Sequence, residues 1–73
     1  MDDGFARRLR QLRKQRGISQ RVLADLCGLG KNTISRYERG DISPTLPVLL
    51  ALAEFFHVTL DDLAGRRAPL GPL

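Results

Sequence analysis

Apolar side chains recur along the front of this chain at helical spacing. Phe5, Leu9 and Leu12 form a first stripe, and Arg7, Arg8, Arg10, Arg13, Lys14 and Arg16 fill most of the rest. That period predicts an amphipathic helix over 4–16. Asp2 and Asp3 stand at the positive end of its dipole and the basic residues toward the negative end. Gly17 stops it as a left-handed cap would. A second helix is predicted over 20–27, with Leu23, Ala24 and Cys27 inward. Ser19 is its N-cap, and Ile18 is placed to staple onto Leu23. Gly28 turns the chain, Leu29 is an apolar plug, and Gly30 is the expected N-cap of a third helix over 31–39. Ile34 and Tyr37 face the core there, with Glu38 beside them. Gly40 closes it.

Asp41-Ile42-Ser43-Pro44 reads as a loop. Thr45 then caps a fourth helix over 46–56, with Pro47 in the first turn, where its missing N–H costs little. Thr59 caps a short fifth helix over 60–64, with Asp61 and Asp62 at its positive end. Gly65 ends it. The tail, 66–73, holds two prolines and a glycine and is expected to be flexible. No strand pattern appears. The expectation is an all-α, five-helix domain over 1–65, followed by the tail.

The fourth helix breaks the usual pattern. Leu46, Leu49, Leu52, Ala53 and Phe56 would fill one buried stripe. Val48, Ala51 and Phe55 make a second, and Leu50 is apolar too. A helix apolar all round needs cover on all sides, and 73 residues cannot easily supply it. The second stripe is therefore expected to be a subunit interface. Fully burying Phe55 there would contribute about 2 kcal/mol per subunit.

Composition narrows the chemistry. One cysteine allows no internal disulfide, and one histidine and one cysteine cannot build a zinc site. No metal or cofactor is expected. Neither a signal peptide nor an apolar run long enough to span a bilayer is visible, so the expected setting is the cytoplasm. Residues 1–40 hold ten Lys or Arg against four Asp or Glu, while 41–73 hold two against four. A basic front half suits a polyanion, although a solvated charged surface would look the same.

The stretch 19–40 decides between these. Two short helical patterns hinged at Cys27-Gly28-Leu29-Gly30 have the layout of a helix-turn-helix, whose second helix enters the DNA major groove. With Ile34 and Tyr37 inward, Lys31, Asn32, Ser35 and Arg36 project outward. Arg36 and Lys31 can donate to guanine O6 and N7, Asn32 can pair with adenine, and Ser35 can serve several base edges. Ser19 and Gln20 open the second helix at its positive end, where a phosphate would sit.

The chain resembles the Cro/C1-type helix-turn-helix family of phage repressors and bacterial regulators. The resemblance is carried by Arg8-Leu9, Leu12-Arg13, Gly17-Ile18-Ser19-Gln20, Leu23-Ala24, Gly28-Leu29 and Ile34-Ser35. Tyr37-Glu38-Arg39-Gly40, Pro44 and Leu60-Asp61-Asp62-Leu63 complete it. Singly these are weak; their joint order is specific. The resemblance implies a lambda-repressor-like five-helix domain that binds double-stranded DNA and usually acts as a dimer. It implies base contacts at Lys31, Asn32, Ser35 and Arg36, and a phosphate contact and a buttress for the third helix at Gln20. Arg39, Ser43 and Thr45 match backbone-contacting positions, with Thr33 a further candidate. Arg13 and Glu38 match a structural ion pair. The other arginines of the first helix are assigned to a general electrostatic field.

A homodimer through the fourth and fifth helices would set two recognition helices about 34 Å apart, on a palindromic operator at the nucleoid. The runner-up is an antitoxin or another protein-interaction module on the same fold. An enzyme is rejected, because no nucleophile, base and orienting group come together. His57 reads as a surface or C-cap residue and Cys27 as a small core residue.

Overall fold

Five helices form where the stripes lie: α1 (Gly4–Gln15), α2 (Gln20–Leu26), α3 (Thr33–Glu38), α4 (Leu46–Phe56) and α5 (Leu60–Leu63). The computed structural model describes residues 4–65, and no strand occurs among them. The readings made for Asp2, Asp3 and the tail 66–73 lie outside the described residues.

The helix ends follow local chemistry. The Ser19 hydroxyl accepts from the Val22 N–H at 3.1 Å, and the Thr59 hydroxyl from the Asp62 N–H at 3.0 Å. Each hydroxyl replaces one partner that a first-turn N–H lacks. Thr45 holds the N-cap position of α4, but its side chain makes no cap bond. At the other end of α4, His57 takes the left-handed conformation usually left to glycine, at φ 57°. The Val58 N–H donating to the Ala53 carbonyl at 3.0 Å closes that turn.

Phe5, Leu9, Leu12, Leu23, Ala24, Ile34, Tyr37, Leu52, Ala53, Phe56 and Leu63 form one buried core, drawn from all five helices. Phe5 and Tyr37 meet edge to face, 5.7 Å between ring centres. Ile18, Cys27 and Leu29 plug the joins between the first three helices.

Leu46 is a correction. It lies on the same side of α4 as Ala53, seven residues on, yet it is 59% exposed. The first turn of α4 therefore overhangs the core instead of packing on it. Leu50 is exposed as well. The second apolar stripe is covered in part from within: Val48 and Phe55 lean on the core. The Arg16 guanidinium lies 5.3 Å from the Phe55 ring centre and donates to the Phe55 carbonyl at 3.2 Å. Ala51 lines a shallow open groove of about 400 Å³ with Leu26, Cys27, Glu54 and Phe55.

Candidate nucleic-acid interface

The turn between α2 and α3 depends on one backbone conformation. Gly28 adopts φ 70°, and the Leu29 N–H reaches back to the Ala24 carbonyl at 2.7 Å. A side chain there would be strained. The turn sends Leu29 inward and brings α3 across the base of α2.

The third helix begins later than the sequence pattern suggests. It starts at Thr33, not at 31, and its N-cap is Asn32 rather than Gly30. Gly30, Lys31 and Asn32 form a turn instead, closed by the Thr33 N–H donating to the Gly30 carbonyl at 3.0 Å. The hinge takes up two residues that helical periodicity alone assigns to the helix. Asn32 makes no side-chain cap bond. A capping residue that does not cap leaves its amide available to a ligand.

Ile34 and Tyr37 are buried, so α3 presents the opposite side to solvent. Lys31, Asn32 and Arg36 are exposed there, and Ser35 is half-buried, its hydroxyl donating to the Asn32 carbonyl at 3.3 Å. Thr33 is half-buried, while Ser43 and Thr45 stand exposed after the helix. Ser19 is exposed and Gln20 half-buried at the start of α2.

One carboxylate fixes this arrangement. The Glu38 side chain is 4% exposed and that of Arg13 12%. Arg13 Nε and Nη2 donate to the two Glu38 oxygens at 2.6 and 3.1 Å, and Arg13 Nη1 donates to the Ile18 carbonyl at 2.9 Å. Gln20 Nε2 donates to the same carboxylate at 3.0 Å. Glu38 thus ties the end of α3 to α1 and to the start of α2 at once. A forked Arg–carboxylate pair fixes orientation as well as distance. The Gln20 side chain spends a donor on this buttress, which limits what it can offer a phosphate.

At the same C-terminal end of α3, Arg39 Nε donates to Asp41 Oδ2 at 3.0 Å, and both side chains are well exposed.

Two arginines assigned to a general field prove to have specific partners. Arg8 forms a two-pronged pair with Asp62, at 2.9 and 3.0 Å, and joins α1 to α5. Arg16 covers Phe55 and Phe56. Neither pairing has a local signal: 54 residues separate Arg8 from Asp62. Arg8 and Asp62 do stand in Arg8-Leu9 and Leu60-Asp61-Asp62-Leu63, two of the motifs that carry the resemblance, whereas Arg16 and Phe55 stand in none of them.

No helix of the described residues is long and apolar enough to cross a membrane.

A family model described as helix-turn-helix matches residues 9–63. The chain is 44% identical over 59 residues to the HTH-type transcriptional regulator AnsR of Bacillus subtilis, covering 81% of this chain and 51% of that protein. It is 39% identical over 61 residues to the cryptic phage CTXphi transcriptional repressor RstR of Vibrio cholerae, covering 84% and 55%. It therefore spans about half the length of these relatives. Among solved structures it is similar to a transcriptional regulator from Listeria innocua. The TM-score is 0.80 at 30% identity, with 90% of this chain and 62% of that one covered.

Proposed function

Because the chain belongs to the Cro/C1-type helix-turn-helix family, we propose that it is a sequence-specific double-stranded DNA-binding regulator of transcription. In this reading the N-terminal end of α3 enters the major groove. Arg36, Lys31 and Asn32 read base edges, and Ser35 assists. Ser19, Gln20, Thr33, Arg39, Ser43 and Thr45 hold the phosphates on either side. The observation that carries this is the Glu38 hub, with Arg13 and Gln20 bound to one buried carboxylate. It holds the exposed polar side of α3 at a set angle.

Two copies joined through α4 and α5, with Val48, Ala51 and Phe55 at the contact, would read a palindrome with half-sites one DNA turn apart. The place of action is then the nucleoid. The alternative, an antitoxin or other interaction module, also draws on the α4 surface, but on its opposite flank, where Leu46 and Leu50 stand open.

Selection of bound sites from random duplex DNA, at stated salt, tests the reading. A palindromic consensus is expected. Arg36→Ala should lose about 1–3 kcal/mol on that consensus and relax one base position. Arg39→Ala should weaken binding to every sequence and flatten the salt slope. A selection that returns no enriched sequence overturns the proposal.

A further inference from the structure

We propose that Asp41 is a brake on DNA affinity: its carboxylate competes with the DNA phosphate for Arg39. The inference rests on the DNA-binding reading above and adds a residue to it.

The geometry is fixed by the end of the recognition helix. Gly40 takes φ 77°, the Gly40 N–H donates to the Tyr37 carbonyl at 3.0 Å, and the Asp41 N–H donates to the Arg36 carbonyl at 2.9 Å. These bonds place Asp41 directly under the last turn of α3. Its carboxylate there lies 3.0 Å from both Nε and Nη2 of Arg39.

The fold gains little from this carboxylate. A negative charge at the C-terminal end of a helix opposes the dipole. The ion pair is open to water, with 63% of the Arg39 side chain and 49% of that of Asp41 exposed, and such pairs are worth little. Its consequence falls on a ligand instead. Both N–H groups that form the natural fork for a phosphate face one carboxylate oxygen. A docking phosphate must displace that oxygen or bind beside a fixed negative charge. Either route lowers affinity without reference to base sequence. Glu38, the other carboxylate near this end, is buried and saturated by Arg13 and Gln20, so it does not substitute for Asp41.

The test compares wild type, Asp41→Asn, Arg39→Ala and the double variant on a random-sequence duplex of about two helical turns, over a salt series. Asp41→Asn keeps the backbone bond and removes the charge. It should tighten binding about two- to fivefold at low salt, the worth of an exposed pair. The log–log salt slope should steepen by up to about 0.9, one phosphate's share. In the Arg39→Ala background the gain should shrink to near one, which a merely structural role for Asp41 would not produce. If wild type binds and Asp41→Asn binds no tighter, or gains as much without Arg39, the brake is overturned and the DNA-binding reading stands. If wild type shows no salt-dependent binding, both fall.

Discussion

At the scale of single residues, one thiol and one phenol are held in their neutral form beyond their ordinary range. Burial pushes the Cys27 thiol above its ordinary 9.0 and the Tyr37 hydroxyl above its ordinary 10.0. The cause is the same: burial strips solvent from the anion, in part for Cys27 and more fully for Tyr37. The sign follows from linkage. A group whose pKa is raised on folding adds stability that is intact below its unfolded value and is lost as pH rises through the folded one. Stability should therefore be level up to about pH 9 and then fall, first through Cys27 and then through Tyr37. Urea midpoints between about pH 8 and 11 check this, and Cys27→Ala should remove the earlier part of the fall while leaving the later part. A midpoint that stayed level through that range would contradict the burial assigned to both groups. The same burial makes Cys27 a slow thiol near neutral pH, in keeping with its place as a filler beside Leu23 and Ala24.

At the scale of elements, α3 is held by a buried ion pair, and such a pair has an asymmetric cost. Removing one partner strands a charge; replacing both removes the problem. Arg13→Met should destabilise the domain by about 3 kcal/mol, because the Glu38 carboxylate then keeps only Gln20. The double variant Arg13→Met, Glu38→Met should recover most of that loss, to within about 1 kcal/mol of wild type. DNA affinity should not recover with it, since neither α1 nor Gln20 would then fix the end of α3. Thermal melts and binding titrations on the three proteins separate the effects; parallel recovery of both would show that the pair serves stability alone. This pair was legible in the sequence only through the resemblance, whereas the buried stripes, the Ser19 and Thr59 caps and the turn at Gly28 were legible from residue type and period. The start of α3 was not. Lys31 and Asn32 suit a helix by spacing, but the chain needs them to complete the hinge, and a turn of that length is set by how α3 meets α2 in space. The Arg8–Asp62 and Arg16–Phe55 contacts were hidden for a related reason. They join elements whose closeness exists only once the core has formed.

At the scale of the whole molecule, α4 still carries more apolar surface than one copy covers. Pro47 and Glu54 mark the single side where the helix is not lined by large or small hydrophobic residues. The two flanks of the core stripe differ. On one, Val48 and Phe55 are partly covered by the chain itself and Ala51 opens into the groove beside Leu26. On the other, Leu46 and Leu50 face water. A Phe55→Glu substitution would disturb the Arg16 and Phe56 contacts as well as any interface, so it cannot separate folding from assembly. Ala51→Arg and Leu50→Glu can, since each adds charge at the edge of its flank without removing a core side chain. If two copies meet over the Val48, Ala51 and Phe55 flank, sedimentation at high concentration should show a dimer for wild type and for Leu50→Glu, and a monomer for Ala51→Arg. The opposite pattern would move the contact to the Leu46 and Leu50 flank, and a wild-type chain monomeric throughout would end the proposal of a dimer through α4. The outcome also bears on DNA. A monomer holds one recognition helix and reads one half-site. A dimer doubles both the base contacts and the phosphates neutralised, so Ala51→Arg should lower affinity for a palindrome far more than for a single half-site.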